Sequence, residues 1–264
     1  MIGQISTIWK FRSFWLSLVV MDLRTRYRRS ILGVGWSLMN PLMMTAVFCV
    51  VFAAWLNNPD WRNSGPYFLA GITLFDFVKT SALSGCQTFF RNESYIRQCP
   101  LPLTIYTLRT VLGAVIHFLI ALAVVILAVL ILLPHQRMPL LTIVWSLIPS
   151  LLLLFAFCWS ISVLASFLTV YFQDSQQLLE VLFQVFFFLT PILYPAKMIL
   201  DRGLGILLSL NPVVTFLELI RQPILTGELP PMWAYTKAVI IVAMFGTMAI
   251  GAIAWLEKKL IFHL

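Results

Sequence analysis

The sequence predicts an all-α integral membrane protein whose 264 residues form one transmembrane domain with six spanning helices. Of these residues, 61% are hydrophobic and only 11% are charged, whereas a soluble domain carries about 25% charged residues. The apolar residues are gathered into long runs, and about 20 such residues are needed to cross the hydrocarbon core of a bilayer. Basic residues concentrate on one side of these runs, which predicts a fixed orientation in the membrane.

The N-terminal segment, residues 5–29, precedes the long apolar runs and has a different pattern. On a helical projection its cationic and small polar side chains fall on one narrow stripe, and aliphatic and aromatic side chains cover the opposite face. Arg12 and Asp22 interrupt this pattern, and the uncharged part, residues 13–21, is too short to span a bilayer. The segment therefore predicts an amphipathic helix that lies in the membrane interface.

Six apolar runs follow, and each predicts one transmembrane span. Five of them have the full length, and the run that forms span five is at the short limit of about 17 residues. Stretches rich in Pro, Gly, Asn, Asp and Gln separate the runs and end the helices. The predicted spans are residues 34–56, 67–90, 106–133, 140–172, 178–194 and 233–256.

The distribution of Lys and Arg predicts that both termini are cytoplasmic. The N-terminal segment, the connection after span two and the C-terminal tail carry more basic residues than the connections on the opposite side. The densest cluster lies directly before span one, at residues 24–29. Near an anionic leaflet each of its arginines contributes about 1 kcal/mol to holding this end at the cytoplasmic surface.

The connection between spans five and six, residues 195–232, is rich in proline and too apolar for an exposed loop. Non-helical backbone at membrane depth persists only when it is buried in protein or lines a water-filled cavity. We therefore expect short re-entrant helices on the extracytoplasmic side. Glu218 and Arg221 stand three residues apart, a spacing at which they could pair on one of these helices.

Asp76 and Lys79 are the acid and the base that lie well inside a span. Each would cost about 2.5–3.5 kcal/mol if it faced lipid at the centre of the bilayer. Because three residues separate them on a helix, we expect them to share a face, to point towards protein or water, and to pair. They could serve a polar conduit or form a salt bridge between helices.

Several classes of site are excluded or not indicated. The chain has no GxxxxGK[ST] motif, so it cannot cradle a nucleoside triphosphate in a P-loop. The segment LSGCQ, residues 83–87, lies inside span two, where Ser84 and Gly85 favour close helix packing. The four cysteines form no CxxC pattern, so no metal site or disulfide framework is predicted. The basic residues are too dispersed for a nucleic-acid surface, and no catalytic residues are predicted.

The four ordered motifs of the chain resemble those of the membrane subunits of type-2 ABC exporters for polysaccharides, the O-antigen and teichoic-acid permeases. The first, RTRYRRSILGVGWSLMNPLMM, carries the basic cluster, a Leu-Gly pair, a tryptophan and an Asn-Pro pair in the order that the family shows. Gln98 and Cys99 depart from the family, which often has Lys or Val there. The four motifs are residues 24–44, 89–102, 184–195 and 210–225.

This resemblance implies a homodimeric permease in the bacterial cytoplasmic (inner) membrane, driven by two copies of a separate ABC ATPase subunit. ATP and Mg²⁺ would be bound by that subunit, and this chain would bind no cofactor. The expected cargo is an undecaprenyl-pyrophosphate-linked polysaccharide, with membrane lipids around the protein. Residues 91–102 are expected to form the coupling segment and 195–232 the extracytoplasmic gate. The residues expected to contact the ATPase subunit are Arg91, Glu93, Tyr95 and Arg97.

The substrate path is expected to run along spans one and five. In span five, polar side chains stand among several phenylalanines, and such rings suit sliding contact with sugars as well as packing inside the protein. Arg28 and Arg29 precede span one, and their guanidinium groups suit a pyrophosphate. The substrate-path residues are Arg28, Arg29, Trp36, Asn40, Gln184, Phe187, Thr190 and Tyr194.

Three alternative functions remain open. The same architecture could export a small lipid or a drug, which a channel too narrow for a glycan would favour. A membrane-embedded glycan-processing enzyme would need clustered acids near a membrane surface, and the acids on the cytoplasmic side are scattered. An ion-coupled secondary transporter would be expected to show repeated broken helices, and none is evident.

Overall fold

The structure is a computed structural model that describes residues 12–27, 33, 35–56, 61–98, 101–133 and 140–260. All regular secondary structure within these ranges is helical, which confirms the predicted all-α class. The first part of the predicted interface helix, residues 5–11, lies outside the described residues, as do Arg28 and Arg29.

The helices are numbered in chain order over the described ranges. A π-helical turn, Gln222–Thr226, continues directly from α11. The α-helices are α1 (Arg12–Tyr27), α2 (Gly35–Leu56), α3 (Trp61–Cys86), α4 (Thr88–Arg91), α5 (Glu93–Gln98), α6 (Thr104–Leu132), α7 (Leu140–Tyr171), α8 (Ser175–Leu189), α9 (Lys197–Leu200), α10 (Gly205–Leu210), α11 (Pro212–Arg221) and α12 (Met232–Leu260).

Three of these helices are long and apolar enough to cross a membrane within the described part of the chain. They are α6, the Trp145–Tyr171 part of α7 and the Met232–Leu256 part of α12. Shorter apolar helices, Leu38–Val51 and Ser175–Leu189, lie in α2 and α8. The count of six spans, the re-entrant path and the orientation of the termini therefore stay predictions.

Helix α3 occupies the centre of the bundle. It packs against α2, α6, α7, α8 and α11. It is also more polar than the other long helices, because it contains Asp76, Lys79 and several hydroxyl side chains. Protein on nearly every side keeps these polar groups from lipid, which is the condition under which charged side chains are tolerated at membrane depth.

A glycine allows α3 to approach α7 closely. A Cβ atom at Gly85 would lie 2.7 Å from the backbone oxygen of Ser162 and 2.8 Å from its hydroxyl. The Ser166 hydroxyl donates a hydrogen bond of 2.8 Å to the Gly85 carbonyl. The segment 83–87 is thus a packing contact between two central helices, as its small residues predicted.

The bundle has two differently built ends. At the α4/α5 end, named for the two short helices that connect α3 to α6, an apolar cluster holds α4 and α5 against α6, α7 and α12. At the opposite end, the α11 end, α11 is buried between α3, α7 and α12. The cluster at the α4/α5 end contains Phe89, Ile96, Leu103, Tyr106, Val163, Phe167, Val170, Ala249 and Ile253.

Candidate functional site

A polar cleft enters the bundle between α2, α3 and α6, starting at the α4/α5 end. It consists of two adjoining cavities of about 350 Å³ and 600 Å³. Both cavities are lined by Thr80, Ala114 and His117, so they lie side by side. We refer to the smaller cavity as the inner cavity and to the larger one as the outer cavity. The inner cavity is also lined by Trp36, Asn40, Thr73, Asp76 and Lys79, and the outer cavity by Asp22, Arg91, Asn92, Arg109 and Thr110.

Asp76 and Lys79 both face the inner cavity, but the expected ion pair between them is not formed. The Asp76 carboxylate instead accepts a hydrogen bond from the side-chain amide of Asn40 at 3.3 Å. The ammonium group of Lys79 makes no hydrogen bond or ion pair with any residue in the described ranges. The physical reason is that the Asn40 amide gives the carboxylate a hydrogen-bond donor and that both charged groups line a polar cavity and not lipid. Asn40 and Asp76 also join α2 to α3, a contact that the sequence did not predict.

A buried arginine connects the interface helix to the α4/α5 end. Arg109 on α6 is only 8% exposed, and its Nε donates to the Asp22 carboxylate on α1 at 2.6 Å. Its Nη2 forms a second contact with the same carboxylate, and its Nη1 donates to the Asn92 side chain at 2.8 Å. We call these three residues the Arg109 network. It explains why Asp22 interrupts the stripe of α1: this carboxylate neutralises a buried cation.

A second series of hydrogen bonds leads from the same end to α8. The Arg91 guanidinium donates two hydrogen bonds, of 2.9 and 3.1 Å, to the side-chain oxygen Oε1 of Gln87. The Gln87 amide donates to Gln176 at 2.8 Å, and the Gln176 amide donates to Glu180 at 3.0 Å. We call these four side chains the glutamine chain. They connect the junction between α3 and α4, and the last residue of α4, to the first turns of α8.

The residues predicted to contact an ATPase subunit lie on α4 and α5, at the surface of the α4/α5 end. Arg91, Tyr95 and Arg97 are exposed and Glu93 is half-buried. Arg97 and Glu93 form an ion pair at 2.9 Å, one helical turn apart. The short helices thus present a polar outer surface, while their inner surface is fixed by the apolar cluster. Whether a partner binds here stays a prediction.

At the α11 end, Arg221 bonds to backbone carbonyls and not to Glu218. Its Nη1 donates to the Pro191 carbonyl at 2.6 Å, and its Nη2 donates to the Ile192 carbonyl at 2.8 Å. Its Nη2 also donates to the Tyr67 carbonyl at 2.9 Å, and the guanidinium carbon lies 3.9 Å from the centre of the Tyr67 ring. The predicted Glu218–Arg221 pair is not formed. The carbonyls that follow α8 lie outside a helix and lack backbone donors in the part of the chain that the structure describes, and they take the guanidinium group in place of the Glu218 carboxylate.

The carbonyls of Pro191 and Ile192 need hydrogen-bond donors because α8 ends earlier than predicted. The predicted span 178–194 is helical only to Leu189, and Pro191 has no N–H with which to continue the helix. Thr190 is fully buried, and its hydroxyl accepts a hydrogen bond of 2.8 Å from the Asn211 side chain. Asn211 in turn caps the N terminus of α11 by accepting from the Val213 N–H at 3.0 Å. The end of α8 is therefore attached to both ends of α11.

The other predicted substrate-path residues of α8 lie in different environments. Gln184 is exposed. Phe187 stacks on Phe48 of α2 with ring centres 6.3 Å apart and meets Phe75 of α3 edge-on at 5.4 Å. Tyr194 is half-buried, and its hydroxyl donates to the Phe188 carbonyl at 2.6 Å. Phe187 thus serves packing between α2, α3 and α8 in this conformation, whereas Gln184 is at the surface.

Comparison with known proteins assigns the chain to a family. Residues 14–225 match the ABC-2 type transporter family. This chain is an ABC-2 type transporter. Similar proteins include the O-antigen export system permease protein RfbA of Klebsiella pneumoniae, which is 25% identical over 79% of this chain and 78% of its own length. The permease of the same name from Myxococcus xanthus is 24% identical over 95% of both chains.

The matched region of this ABC-2 transporter, residues 14–225, contains the polar cleft, both polar networks and Arg221. Its apolar helices and its family make it a multi-pass membrane protein and a transport subunit. Family membership also implies association with an ABC ATPase subunit. No group of three His, Cys, Asp or Glu side chains is placed to hold a metal ion in the part of the transporter that the structure describes.

Proposed function

We propose that this chain is the transmembrane subunit of an ATP-driven exporter that moves a lipid-linked, O-antigen-like polysaccharide across the bacterial inner membrane. The observation that carries the proposal is the similarity along 95% of its length to a protein named as an O-antigen export permease. The family supports a transport role, and the sequence motifs of spans one and five support a polysaccharide cargo. The cargo would be a polysaccharide carried on undecaprenyl pyrophosphate.

The active assembly in this proposal is a homodimer with two ABC ATPase subunits. ATP and Mg²⁺ would bind to those subunits, because this chain has no P-loop sequence. The outward surfaces of α2 and α8 carry exposed apolar side chains, among them Met43, Val50, Val185 and Phe188. Such a surface is suited to a second copy or to lipid. A channel between the two copies would then have α2 and α8 of each copy as its walls.

Movement of the ATPase subunits would be received by α4 and α5. The Arg109 network would pass it to the interface helix α1, and the glutamine chain would pass it to α8. Both connections consist of side-chain hydrogen bonds of 2.6–3.1 Å. A displacement of α4 and α5 would therefore move α1 and α8 directly. The ion pair between Asp22 and Arg109 also fixes α1 against α6, so that neither charge is left unpaired.

The substrate would enter near the N-terminal arginines and leave through the α11 end. Arg28 and Arg29 would meet the pyrophosphate, and replacing both with Gln should reduce export without changing topology. Intact export by that double variant would remove this role. Residues 195–232 would form the extracytoplasmic gate, which Arg221 and Asn211 attach to the end of α8. A gate attached to a channel-lining helix would follow that helix when it moves.

Deletion of this chain in its own bacterium tests the proposal. Lipid-linked glycan should still be made and should accumulate inside the cell, and complementation with the wild-type chain should restore surface display. The protein purified from native membranes should bring an ABC ATPase subunit with it. Normal surface glycan in the deletion strain would contradict the proposal. Loss of export of a small lipid, with surface glycan intact, would favour the alternative cargo.

A further inference from the structure

The inner cavity of the polar cleft places two charged groups, to which the transport scheme above gives no role, beside two residues of the predicted substrate path. Asp76 and Lys79 face it from α3, and Asn40 and Trp36 face it from α2. Its volume of about 350 Å³ falls in the range of about 300–1,000 Å³ that small-ligand sites occupy. Ionised side chains at membrane depth are expensive and are usually retained for function.

The position of the inner cavity makes it accessible from the α4/α5 end. Asp76 lies ten residues before the end of α3 at Cys86, which corresponds to about 15 Å along the helix. The outer cavity, with the exposed Arg91 on its wall, leads from that end to the inner one through the shared residues Thr80 and His117. A ligand with an anionic part and a neutral part could therefore occupy both cavities in sequence.

The polar groups of the inner cavity suit a hydroxylated ring better than a phosphate. The Asp76 carboxylate accepts hydrogen bonds but repels an anion, whereas the Lys79 ammonium and the Asn40 amide donate. A sugar ring offers hydroxyl groups that both donate and accept, so it can satisfy all three side chains. Trp36 is 57% exposed and provides a broad apolar face on which the C–H face of a sugar can rest.

We propose that the inner cavity is a sugar-binding subsite that holds one pyranose unit of the lipid-linked glycan. This inference rests on the proposed function and adds a position for the glycan within this chain. Asp76 accepts a hydrogen bond from one sugar hydroxyl, Lys79 and Asn40 donate to the oxygen atoms of other hydroxyl groups, and Trp36 contacts the apolar face of the ring. Asn40 already donates to Asp76 at 3.3 Å, so the carboxylate is positioned before the sugar arrives.

The test uses the full-length chain, purified with any copurifying ATPase subunit and placed in lipid nanodiscs. Two kinds of probe are compared: farnesyl diphosphate, and the same lipid diphosphate carrying one glucose, galactose or N-acetylglucosamine. The variants are Asp76→Asn, Lys79→Met and Asn40→Ala. Glu218→Gln is the matched control, because it removes a half-buried carboxylate from α11, away from the cleft. Thermal unfolding of each variant is measured so that misfolded protein is recognised.

Asp76→Asn and Lys79→Met each remove a hydrogen bond to a charged group and should weaken binding of the best sugar-bearing probe by about tenfold or more. Asn40→Ala removes a neutral donor and should weaken it by about twofold to tenfold. Binding of the sugar-free diphosphate should change by less than about twofold, because a substitution has little effect on binding at an independent site. Glu218→Gln should change the binding of neither probe. Equal weakening of both probes would overturn the inference in favour of a phosphate site. Unchanged binding in all three folded cleft variants would also overturn it.

A photoactivatable group on the sugar gives a readout that does not depend on any variant. Crosslinks should map to residues 36–40 and 73–80 in the wild-type protein. Crosslinks confined to α8 would place the sugar elsewhere and overturn the inference, while leaving polysaccharide export intact as the function. If the wild-type protein binds neither kind of probe, the proposed cargo itself is contradicted, and the inference falls with it.

Discussion

Replacement of Arg221 should loosen the α11 end while leaving the rest of the bundle folded. The guanidinium group serves two carbonyls, those of Pro191 and Ile192, that follow the end of α8 and do not belong to a helix. The Tyr67 hydroxyl also reaches the Pro191 carbonyl at 3.3 Å, so the Ile192 carbonyl depends most on the arginine. In Arg221→Met, an unbranched apolar side chain fills part of the space but donates nothing.

The magnitude follows from the bonds that are lost. A hydrogen bond to a charged group contributes about 1.5–3 kcal/mol, so the two bonds to the carbonyls outside a helix give about 3–6 kcal/mol, before any gain from removing a buried charge. For a chain of this size, 1 kcal/mol corresponds to about 2–4 °C in melting temperature. We expect an apparent melting temperature lower by at least about 6 °C. Arg202→Met, which replaces an exposed arginine in the same connection, should change it by less than about 2 °C.

Gly71 provides an independent perturbation of the same contact. A Cβ atom at Gly71 would lie 1.9 Å from Nη2 of Arg221 and 3.1 Å from the Ile192 side chain. Gly71→Ala should therefore displace the guanidinium and destabilise the wild-type protein. In the Arg221→Met background the more flexible methionine can move aside, so the alanine should cost little. The two substitutions should be strongly non-additive, as expected of residues in direct contact.

Two measurements check these expectations. Thiol labelling of the buried Cys86 and Cys158 reports global unfolding on heating. Hydrogen–deuterium exchange should show faster exchange at residues 190–194 and 212–226 in Arg221→Met, with α6 unchanged. Equal melting temperatures for Arg221→Met and the wild type, or equal costs of Gly71→Ala in both backgrounds, would refute the assigned role of Arg221.

Three further predictions concern the helix contacts and the α4/α5 end. Gly85→Ala should lower stability by about 1–3 kcal/mol because its Cβ has no space against Ser162, whereas Gly113→Ala, in an open position of α6, should be neutral or stabilising by about 0.5–1 kcal/mol in thermal unfolding. Asp22→Asn should lower the stability of the protein by about 1–3 kcal/mol, less than for a fully buried ion pair, because Asp22 is half exposed. Arg109→Met should lower it by less, since the remaining Asp22 carboxylate can be hydrated. A lower melting temperature for Arg109→Met than for Asp22→Asn would contradict this role of the ion pair. Gln176→Leu should reduce glycan export at unchanged protein level by breaking the glutamine chain, and export equal to that of the neighbouring exposed variant Gln177→Leu would argue against transmission through it.

The sequence predicts the class of this fold well because lipid imposes strong and simple rules. Apolar runs of about 20 residues indicate helices, because an α-helix satisfies its backbone hydrogen bonds within its own segment at membrane depth. The sequence also predicts the close helix contact at Gly85, because two helices can approach closely where one of them has a residue without a side chain. The end of α8 was less predictable: the apolar run continues to Tyr194, but the helix stops at Leu189, before the first proline of the run.

The long-range polar contacts could not be predicted from local spacing. Glu218 and Arg221 have the spacing of a pair on a helix, yet Arg221 bonds to carbonyls 29 and 30 residues earlier in the chain. Asp76 and Lys79 have a similar spacing, yet the carboxylate bonds to Asn40, 36 residues away. A usable signal existed in both cases, because broken backbone at membrane depth needs a donor and an intramembrane charge needs a polar environment. The sequence shows that these groups need a polar partner, but it does not show which residue provides it.

Arg91 and Asn92 are adjacent in the chain but belong to different networks, one leading to α8 and the other to α1. An insertion of one residue between Gln87 and Arg91 would rotate Arg91 and Asn92 by about 100°, and so break the Arg91–Gln87 and Arg109–Asn92 contacts together. The turn at residues 201–204, which is exposed throughout, has no comparable constraint. Epitope tags and fluorescent reporters should therefore be placed in that turn and kept away from the four residues that follow Gln87.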